Sequence, residues 1–332
     1  MNILVVGGAG YIGSHMAKQL TRHGHQVVIL DNLSTGHRRL ASHGTLVEGD
    51  LGDAELLDRL FAETAFDGVM HFAANSLVGE SVHQPDKYYQ NNVANTLVLL
   101  DRMRHFNVKN FIFSSTAATF GEPEYSPIDE DHPQRPINPY GRSKWMVEQV
   151  LQDYASAYGV NSVSLRYFNA AGADPEGELG ECHEPETHLI PLILQAASGR
   201  RDNIKVFGRD YATQDGTCVR DYIHIEDLCT AHALALDALV DKRLSGAQAF
   251  NLGNGCGFSV QEVIAVVQNV VAEDGCSLSV EDAPRRDGDP AVLVADASRA
   301  KDTLGWQPQF ADLELIVRHA WAWEKRLSSA PD

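Results

Sequence analysis

The chain has 332 residues, of which 44% are hydrophobic, and a formal net charge of −18 at pH 7. The length allows about two domains, or one large domain with an appendage, and the negative charge argues against a nucleic-acid partner. No apolar run reaches the ~18 residues that a membrane span requires. The five cysteines form no Cys-x-x-Cys pair and the first residues do not resemble a signal peptide, so we expect reduced thiols in a cytoplasmic protein.

Short β-branched runs alternate with helical patterns in the first half of the chain. We predict strands at 2–7, 26–30, 44–50, 67–74, 109–116 and 161–170, and helices at 11–23, 54–64, 92–106 and from 139 onward. Continuously apolar strands that alternate with helices are typical of a parallel sheet covered on both faces. The fold class that we expect is therefore α/β, with a doubly wound parallel (Rossmann) sheet and a smaller C-terminal α/β domain.

The alternation of strands and helices stops after Ala171. An acidic, loop-like segment follows at 172–188, and after it short helices and strands come in no strict order. We therefore predict a first domain at 1–175 and a substrate-binding domain at 176–332, with about 217–242 packing back on the first domain.

A glycine-rich segment, GGAGYIG at 7–13, lies between the first predicted strand and the first predicted helix. Its glycines allow a tight turn and let the backbone approach a pyrophosphate, which the amides at the helix N-terminus then hold. Asp31 ends the second strand, where a carboxylate accepts hydrogen bonds from the adenosine ribose and repels a 2′-phosphate. The pattern predicts an NAD site. The alternative, a glycine-rich turn in another α/β protein, is disfavoured by the context and by Asp31.

Tyr140 and Lys144 stand four residues apart, after an Asn-Pro pair that suits the start of a helix. This spacing places both side chains on one helix face, where they form either an ordinary surface pair or an acid–base apparatus. Beside NAD, the ammonium and the positive nicotinamide would both favour the Tyr140 phenolate, which would accept a proton from a sugar hydroxyl. Lys144 would also bond the nicotinamide ribose, and a hydroxyl at the end of the preceding strand, Ser115 or Thr116, would bond the reacting oxygen.

Several segments together resemble the extended short-chain dehydrogenase/reductase family. They are the glycine loop, HFAA (71–74), FSST (113–116), the Tyr140–Lys144 pair and RYFNAAGA (166–173). Within that family, VGESV (78–82), YYQNNV (88–93), GTCVRDYIHIEDL (216–228), FNLGNG (250–255) and APRRDGDPA (283–291) resemble the UDP-galactose 4-epimerases. The resemblance extends over nearly the whole chain.

The resemblance implies a reversible interconversion of UDP-glucose and UDP-galactose. Family members keep NAD tightly bound, take a hydride from C4 of the sugar, let the 4-keto intermediate rotate and return the hydride to its other face. They are commonly homodimers joined through helices of the Rossmann domain, among them the helix that starts at Pro139. Its apolar residues Trp145, Met146 and Val150 would serve either this interface or the core.

The resemblance also implies roles for individual residues. Tyr140 is the base, Lys144 is its partner, and Thr116 stands where the family usually has serine. The implied cofactor contacts are Gly7, Gly10, Tyr11, Ile12, Gly13, Asp31, Asn32, Asp50, Leu51, Phe72, Ala73, Ala74, Asn91, Tyr140, Lys144 and Phe168. Ser76 replaces a family lysine, so one expected charge contact to the cofactor is missing.

The implied substrate contacts are Thr116, Asn169, His188, Leu189, Phe207, Arg220, Arg286, Asp289 and Leu293. Guanidinium groups suit the uridine diphosphate, although each arginine alone would indicate a surface ion pair, and Phe207, expected beside the uracil, would indicate core packing. Leu293 aligns with a family residue next to the sugar C2 substituent. A large tyrosine there is associated with excluding N-acetyl sugars and a small residue with admitting them, so a leucine leaves N-acetylhexosamines open as substrates.

The segment ECHEPETH at 181–188 carries several potential metal ligands, namely Cys182, His183, Glu184, Glu186 and His188. A structural zinc site usually has four ligands at defined spacing, and this mixture on a proline-containing loop matches that pattern poorly. From the sequence we therefore predict no metal centre, and instead a loop that covers the sugar nucleotide.

The sequence also bears on rival functions. A nucleotide-sugar 4,6-dehydratase carries an Asp-Glu pair after the strand-end threonine, whereas Ala117 and Ala118 stand here and lack the acid–base groups. A 4-epimerase of UDP-pentoses or uronates would use the same chemistry as the hexose enzyme. A non-catalytic NAD-binding regulator would often lack the tyrosine or the lysine, and both are present.

Overall fold

The computed structural model of the protein describes residues 1–286 and 289–329. The helices in this part of the chain are α1 (Tyr11–Arg22), α2 (Ala54–Glu63), α3 (Val78–His83), α4 (Pro85–Tyr88), α5 (Asn95–His105), α6 (Pro139–Tyr158), α7 (Leu189–Ala197), α8 (Ile225–Val240), α9 (Val260–Ala272), α10 (Ser298–Leu304) and α11 (Leu313–Ser329). The strands are β1 (Asn2–Val6), β2 (Gln26–Asp31), β3 (Thr45–Glu48), β4 (Gly68–His71), β5 (Asn110–Thr116), β6 (Asn161–Tyr167), β7 (Asn169–Ala171), β8 (Ile204–Phe207), β9 (Val219–His224), β10 (Ala247–Leu252), β11 (Gly257–Ser259), β12 (Val280–Ala283) and β13 (Val292–Leu293). None of the described helices is both long and apolar enough to cross a membrane.

Seven strands, in the order β10-β6-β5-β4-β1-β2-β3, form the main sheet, and every neighbouring pair in it is parallel. This architecture confirms the predicted doubly wound α/β fold. From β1 the chain builds outward through β2 and β3, and then returns to the other side of β1 with β4 and β5. The reversal between β1 and β4 opens a crevice at the carboxyl ends of these strands, which is where such sheets bind ligands.

The first strand shows why the strands of this sheet are continuously apolar. Ile3 and Val5 lie in one buried cluster with residues of α1 and α8, while Leu4 and Val6 lie in a second cluster with residues of α2, α5 and α6. Successive side chains of a strand point to opposite faces of the sheet. Both faces are therefore covered by helices, and the side chains of β1 are apolar on both faces of the sheet.

A smaller sheet has β9 at its centre, paired with β7, β11 and β13. The strand predicted at 161–170 is in fact two strands, because β6 ends at Tyr167 in the main sheet and β7 begins at Asn169 and pairs with β9. The prediction of one strand was wrong because no glycine or proline marks the change of partner. Phe168 is the residue at which the chain passes from one sheet to the other.

The contacts between elements do not follow a single division at residue 175. Helix α8, which lies in the segment 217–242 that we expected to pack back on the first domain, contacts α1, and β10, which lies outside that segment, pairs with β6 of the main sheet. Conversely, β7 lies in the small sheet although it comes from the predicted first domain. We therefore propose that the first domain takes α8 and β10, and that the second is built from the small sheet together with α7, α9 and α11, whose apolar side chains share one core.

Candidate active site

The glycine loop joins β1 to α1 at the crevice of the main sheet. Gly7 has a positive φ of 82°, and a Cβ on it would come within 2.7 Å of the Ala73 Cα, while a Cβ on Gly13 would come within 2.8 Å of the Gly8 Cα. Both positions therefore require glycine, because a side chain would collide with the neighbouring backbone. Gly10 is the residue before the first turn of α1, so the first amides of that helix lie at the carboxyl end of β1, where they can hold a pyrophosphate.

Asp31 ends β2 beside this loop and is only 8% exposed. Its Oδ2 accepts a hydrogen bond from the Ala9 amide at 2.9 Å and its Oδ1 accepts one from the Leu33 amide at 2.8 Å. The carboxylate is thus fixed against the glycine loop. Its position fits the ribose-binding role predicted for it, and its charge disfavours a cofactor with a 2′-phosphate.

The other predicted cofactor residues surround the same crevice. Asn32 donates to Asp50 Oδ2 at 2.8 Å after β2. The amides of Phe72 and Ala73, just after β4, both donate to the Val6 carbonyl of β1, at 2.8 and 3.1 Å. The remaining members are Leu51, which is buried, Ile12 on α1, Ala74 after β4, Asn91 in a π-helical turn at Tyr89–Ala94, and Phe168 between the two sheets.

The side chain of Tyr11 does not face the predicted cofactor site. Its hydroxyl donates to the Gly172 carbonyl at 2.8 Å, and its ring packs edge-on against His15. The side chain is therefore buried between α1 and the strand-to-loop connection after β7. Only the Tyr11 backbone, in the first turn of α1, is available for the predicted contact.

The start of α6 sets the position of Tyr140. Asn138 caps the helix, its Oδ1 accepting from the Gly141 amide at 2.8 Å. A Cβ on Gly141 would come within 2.8 Å of the Ala118 carbonyl carbon, so the helix start lies directly on the 3-10 turn at Ala117–Thr119 that follows β5. This close packing places the Tyr140 phenol beside the Thr116 hydroxyl.

Lys144 follows Tyr140 by one turn and is almost fully buried, with 2% of its surface exposed. Its Nζ donates to the Ser114 carbonyl at 2.9 Å and lies 4.9 Å from the centre of the Phe113 ring. Burial lowers the pKa of Lys144 to about 7, and the negative charge of Glu148 acts in the opposite direction.

Burial shifts the pKa of the Tyr140 phenol in the opposite direction to that of Lys144. Desolvation raises the pKa of Tyr140 above its ordinary value of 10.0, and the hydrogen bond from Thr116 opposes this shift. Burial alone thus favours a protonated Tyr140 and a neutral Lys144. The positive charge of an oxidised nicotinamide would favour the phenolate, and a protonated Lys144 would act in the same direction.

The sequence did not indicate a buried network behind Lys144. Glu148 accepts hydrogen bonds from the Ser115 hydroxyl, from Arg166 Nε at 3.0 Å and from Gln134 Nε2 at 3.0 Å. Because the Ser115 hydroxyl donates to Glu148, Thr116 is the residue at the end of the strand whose hydroxyl faces Tyr140. The spacing of Glu148, four residues after Lys144 on the same helix, is the signal by which the network could have been found.

A cleft beside the small sheet and α7 brings together seven of the nine predicted substrate contacts. They are Asn169, His188, Leu189, Phe207, Arg220, Arg286 and Asp289. Arg220 forms an ion pair with Asp289, and the Arg286 guanidinium lies 4.0 Å above the centre of the Phe207 ring. Cys218, Tyr222 and Lys205 also line the cleft and were not predicted.

Thr116 and Leu293 are the two predicted substrate contacts outside the lining of this cleft. Thr116 lies at the end of β5 beside Tyr140. Leu293 pairs in register with Arg220 across the β13–β9 ladder, so it lies next to a residue of the cleft wall.

Comparison with known proteins assigns the family. The profile of the NAD dependent epimerase/dehydratase family matches residues 3–253. This chain belongs to that family. The UDP-glucose 4-epimerase of Halalkalibacterium halodurans is 53% identical over 325 residues, which cover 98% of this chain and 96% of the relative.

Two solved structures extend the comparison. The UDP-glucose 4-epimerase from Brucella ovis, in complex with NAD, superposes with a TM-score of 0.93 at 50% identity, over 96% of this chain and 97% of that chain. The UDP-Glc/GlcNAc 4-epimerase from Campylobacter jejuni superposes with a TM-score of 0.84 at 45% identity, over 98% and 99% of the two chains. The predicted family and the predicted cofactor, NAD, are confirmed, while the roles of individual residues remain predictions.

Proposed function

We propose that the protein interconverts UDP-glucose and UDP-galactose by inverting C4 of the hexose. The observation that carries this proposal is the placement of Tyr140 and Lys144 beside Thr116, at the same carboxyl edge of the main sheet as the glycine loop. The neighbouring cleft carries three arginines, Arg201, Arg220 and Arg286, and guanidinium groups suit a diphosphate. The activity of the relatives named above supports the same reaction.

The chain supplies the proton transfer. Tyr140 accepts the proton of the sugar 4-hydroxyl at its phenol oxygen as the C4–H bond breaks, and returns it to the 4-oxygen when the new C4–H bond forms. The Thr116 hydroxyl holds the reacting oxygen beside Tyr140. NAD, when bound, supplies the hydride acceptor for the first half of this cycle and the donor for the second.

The cleft residues hold the nucleotide. Arg220 is paired with Asp289 through a charged hydrogen bond, and a diphosphate oxygen would compete with that carboxylate for the guanidinium. Arg286, whose guanidinium lies over the Phe207 ring, lines the same cleft. Because these residues would hold the nucleotide and not the hexose, the 4-keto sugar would be free to rotate before the hydride returns.

The range of sugars is a second question within the same reaction. The Campylobacter jejuni relative is described as acting on UDP-Glc and GlcNAc, and Leu293 is smaller than the tyrosine associated with excluding N-acetyl groups. We propose UDP-N-acetylhexosamines as second substrates and UDP-pentoses as weaker ones. A dehydratase is disfavoured, since Ala117 and Ala118 form the turn against which α6 packs and carry no carboxylate.

An epimerisation assay with three substrates in parallel tests the proposal. Purified protein without added cofactor is incubated with UDP-galactose, UDP-N-acetylgalactosamine and UDP-xylose, and the NAD released on denaturation is measured. We expect conversion of UDP-galactose and about one NAD per chain. Turnover of UDP-xylose alone would indicate the pentose enzyme. The absence of both bound NAD and turnover would contradict the proposal.

The Leu293→Tyr variant tests the choice of sugar. In this variant, activity on the N-acetyl sugar should fall more than activity on UDP-galactose.

We also propose a homodimer in the cytoplasm. Helices α5 and α6, which cover the same face of the main sheet, expose Leu97 and Met146 to 37% and 39%. Of the predicted interface residues on α6, Val150 packs against the core, so Met146 is the stronger candidate for a contact between subunits. All five cysteines are free thiols, which suits a reducing compartment.

A further inference from the structure

Four side chains of the loop before α7 converge on one point. His188 Nδ1 lies 2.6 Å from Glu181 Oε1 and 3.2 Å from Glu186 Oε1. His183 Nδ1 lies 3.0 Å from Glu181 Oε1 and 3.8 Å from Glu186 Oε2. Each imidazole therefore faces both carboxylates, and a ligand atom from each of the four residues lies within 4.8 Å of the other three.

These separations are close to those around a tetrahedral metal ion. Zinc bonds imidazole nitrogen and carboxylate oxygen at about 2.0–2.1 Å, which places neighbouring ligand atoms of a tetrahedron about 3.3 Å apart. With Glu181 Oε1 and Glu186 Oε1 the nitrogen–oxygen separations are 2.6, 3.0 and 3.2 Å, whereas the separation of 3.8 Å joins His183 to the other oxygen of Glu186, Oε2. Two imidazoles with two carboxylates also form a ligand set that suits divalent transition metals.

The burial of the two carboxylates adds a second, independent reason. The side chains of Glu181 and Glu186 are 5% and 4% exposed. Two carboxylates held together away from water repel each other and need positive charge between them. The two imidazoles that face these carboxylates carry positive charge only when they are protonated, whereas a divalent cation at the point where all four side chains meet would supply that charge in full.

The backbone and its neighbours orient the ligands. Glu186 Oε1 accepts hydrogen bonds from the amides of Thr187 and His188 at 2.7 and 2.9 Å, and Trp323 Nε1 donates to the Glu181 carbonyl at 2.8 Å. Such outer contacts are what holds metal ligands in place. The Cys182 thiol takes no part, because it accepts a hydrogen bond from Arg39 instead.

A second group of carboxylates in the same loop provides a contrast. Asp174, Glu176 and Glu178 also converge, but Lys18 Nζ lies 2.6, 3.3 and 2.9 Å from them. That ammonium already provides their positive charge. The Glu181 cluster has no lysine or arginine within ion-pairing distance among the described residues.

We propose that Glu181, His183, Glu186 and His188 bind one divalent transition-metal ion, with Zn²⁺ as the probe of choice. The ion would fix the loop that leads into α7, and with it Thr187 and His188 in the wall of the sugar-nucleotide cleft. This proposal differs from our prediction of no metal centre. It does not depend on the proposed epimerase activity, since binding of the ion is measured directly.

The test uses full-length protein with its cofactor, first stripped of metal with a chelator. The protein is loaded with Zn²⁺, dialysed, and analysed for metal content, and Co²⁺ is titrated in as a spectroscopic probe of coordination geometry. We expect about one Zn²⁺ per chain and the intense visible bands of tetrahedral Co²⁺. His183→Ala and Glu181→Gln should bind each ion at least tenfold more weakly. Glu178→Gln, which removes a charge from the contrasting group, should bind as the wild type does.

Two results would overturn the proposal. One is wild-type protein that retains no Zn²⁺ after dialysis and gives only the weak spectrum of hydrated Co²⁺, in which case the histidines serve as hydrogen-bond partners of the carboxylates. The other is a site that persists unchanged in both His183→Ala and Glu181→Gln. The Co²⁺ spectrum of the wild type decides the question even if a variant fails to fold.

Discussion

At the scale of the residue, burial determines the chemistry of the candidate catalytic pair. The spacing of Tyr140 and Lys144 predicts that they share a helix face, and the structure agrees. The directions of their pKa shifts, upward for Tyr140 and downward for Lys144, come from desolvation by distant parts of the chain. A sequence pattern cannot give such shifts, because the residues that exclude water lie on β5 and its neighbours.

Tyr140→Phe removes the proton acceptor and almost no packing area. We expect turnover of UDP-galactose to fall by about 100- to 10,000-fold, the usual contribution of a positioned acid–base group, with binding of the nucleotide sugar little changed. Steady-state kinetics and calorimetric titration with UDP measure the two effects. Tyr158→Phe, at the exposed end of the same helix, serves as the control. Near-normal turnover in Tyr140→Phe would remove this residue from the mechanism.

Lys144 should give the cofactor-free protein a distinctive dependence on pH. In the unfolded chain its pKa is near 10.5, whereas in the fold it is about 7. Between these values the unfolded chain binds a proton that the folded protein has released, so the free energy of unfolding rises with pH, by up to about 1.4 kcal/mol per unit. Urea denaturation from pH 6 to pH 9 should show this rise in the wild type and a smaller one in Lys144→Met. If the free energy of unfolding has the same dependence on pH in both proteins, Lys144 is not desolvated in the fold.

At the scale of the element, close packing between α6 and the turn after β5 aligns the site. Asn138 and Pro139 predict that α6 begins at residue 139, and the helix begins at Pro139 in the structure. The need for glycine at position 141 is not visible in the helix pattern, since it arises from the Ala118 carbonyl on another element. Likewise, the change of partner at Phe168 depends on β9, which comes about fifty residues later in the chain.

Gly141→Ala should displace the first turn of α6. A Cβ at this position has no room against the Ala118 carbonyl, and a shift of about 1 Å in a catalytic group can cost about 100-fold in rate. We expect kcat to fall by roughly that factor, with retention of NAD. Gly79→Ala in α3, where a Cβ would meet nothing within 4 Å, is the matched control. Equal kcat values for the two variants would show that this contact does not position Tyr140.

At the scale of the whole molecule, the sequence predicted the doubly wound sheet and the glycine loop because both depend on local periodicity and on short motifs. The resemblance to a family predicted the cleft, since its residues come from segments as far apart as 169 and 289. Neither source predicted that β10 completes the main sheet. Neither predicted the convergence of Glu181, His183, Glu186 and His188, because a folded loop, rather than regular spacing, brings them together.

The proposed dimer can be tested through Met146, whose side chain is exposed on α6. A buried charge at the contact would be unpaired, so Met146→Glu should shift the protein from dimer to monomer in sedimentation velocity runs. Cys256→Glu introduces the same charge at an exposed residue between β10 and β11, away from α5 and α6 in the fold, and serves as the control. A monomeric wild type, or a Met146→Glu protein that stays dimeric, would contradict this interface.

The central claim is that hydrogen leaves C4 and returns to it through bound NAD while Tyr140 carries only the hydroxyl proton. UDP-galactose deuterated at C4 is converted in ordinary water without added cofactor, and the product UDP-glucose is analysed by NMR and mass spectrometry. We expect deuterium to be retained at C4 of the product. Loss of the label to solvent would mean that the hydrogen is removed as a proton, and would contradict hydride transfer through NAD.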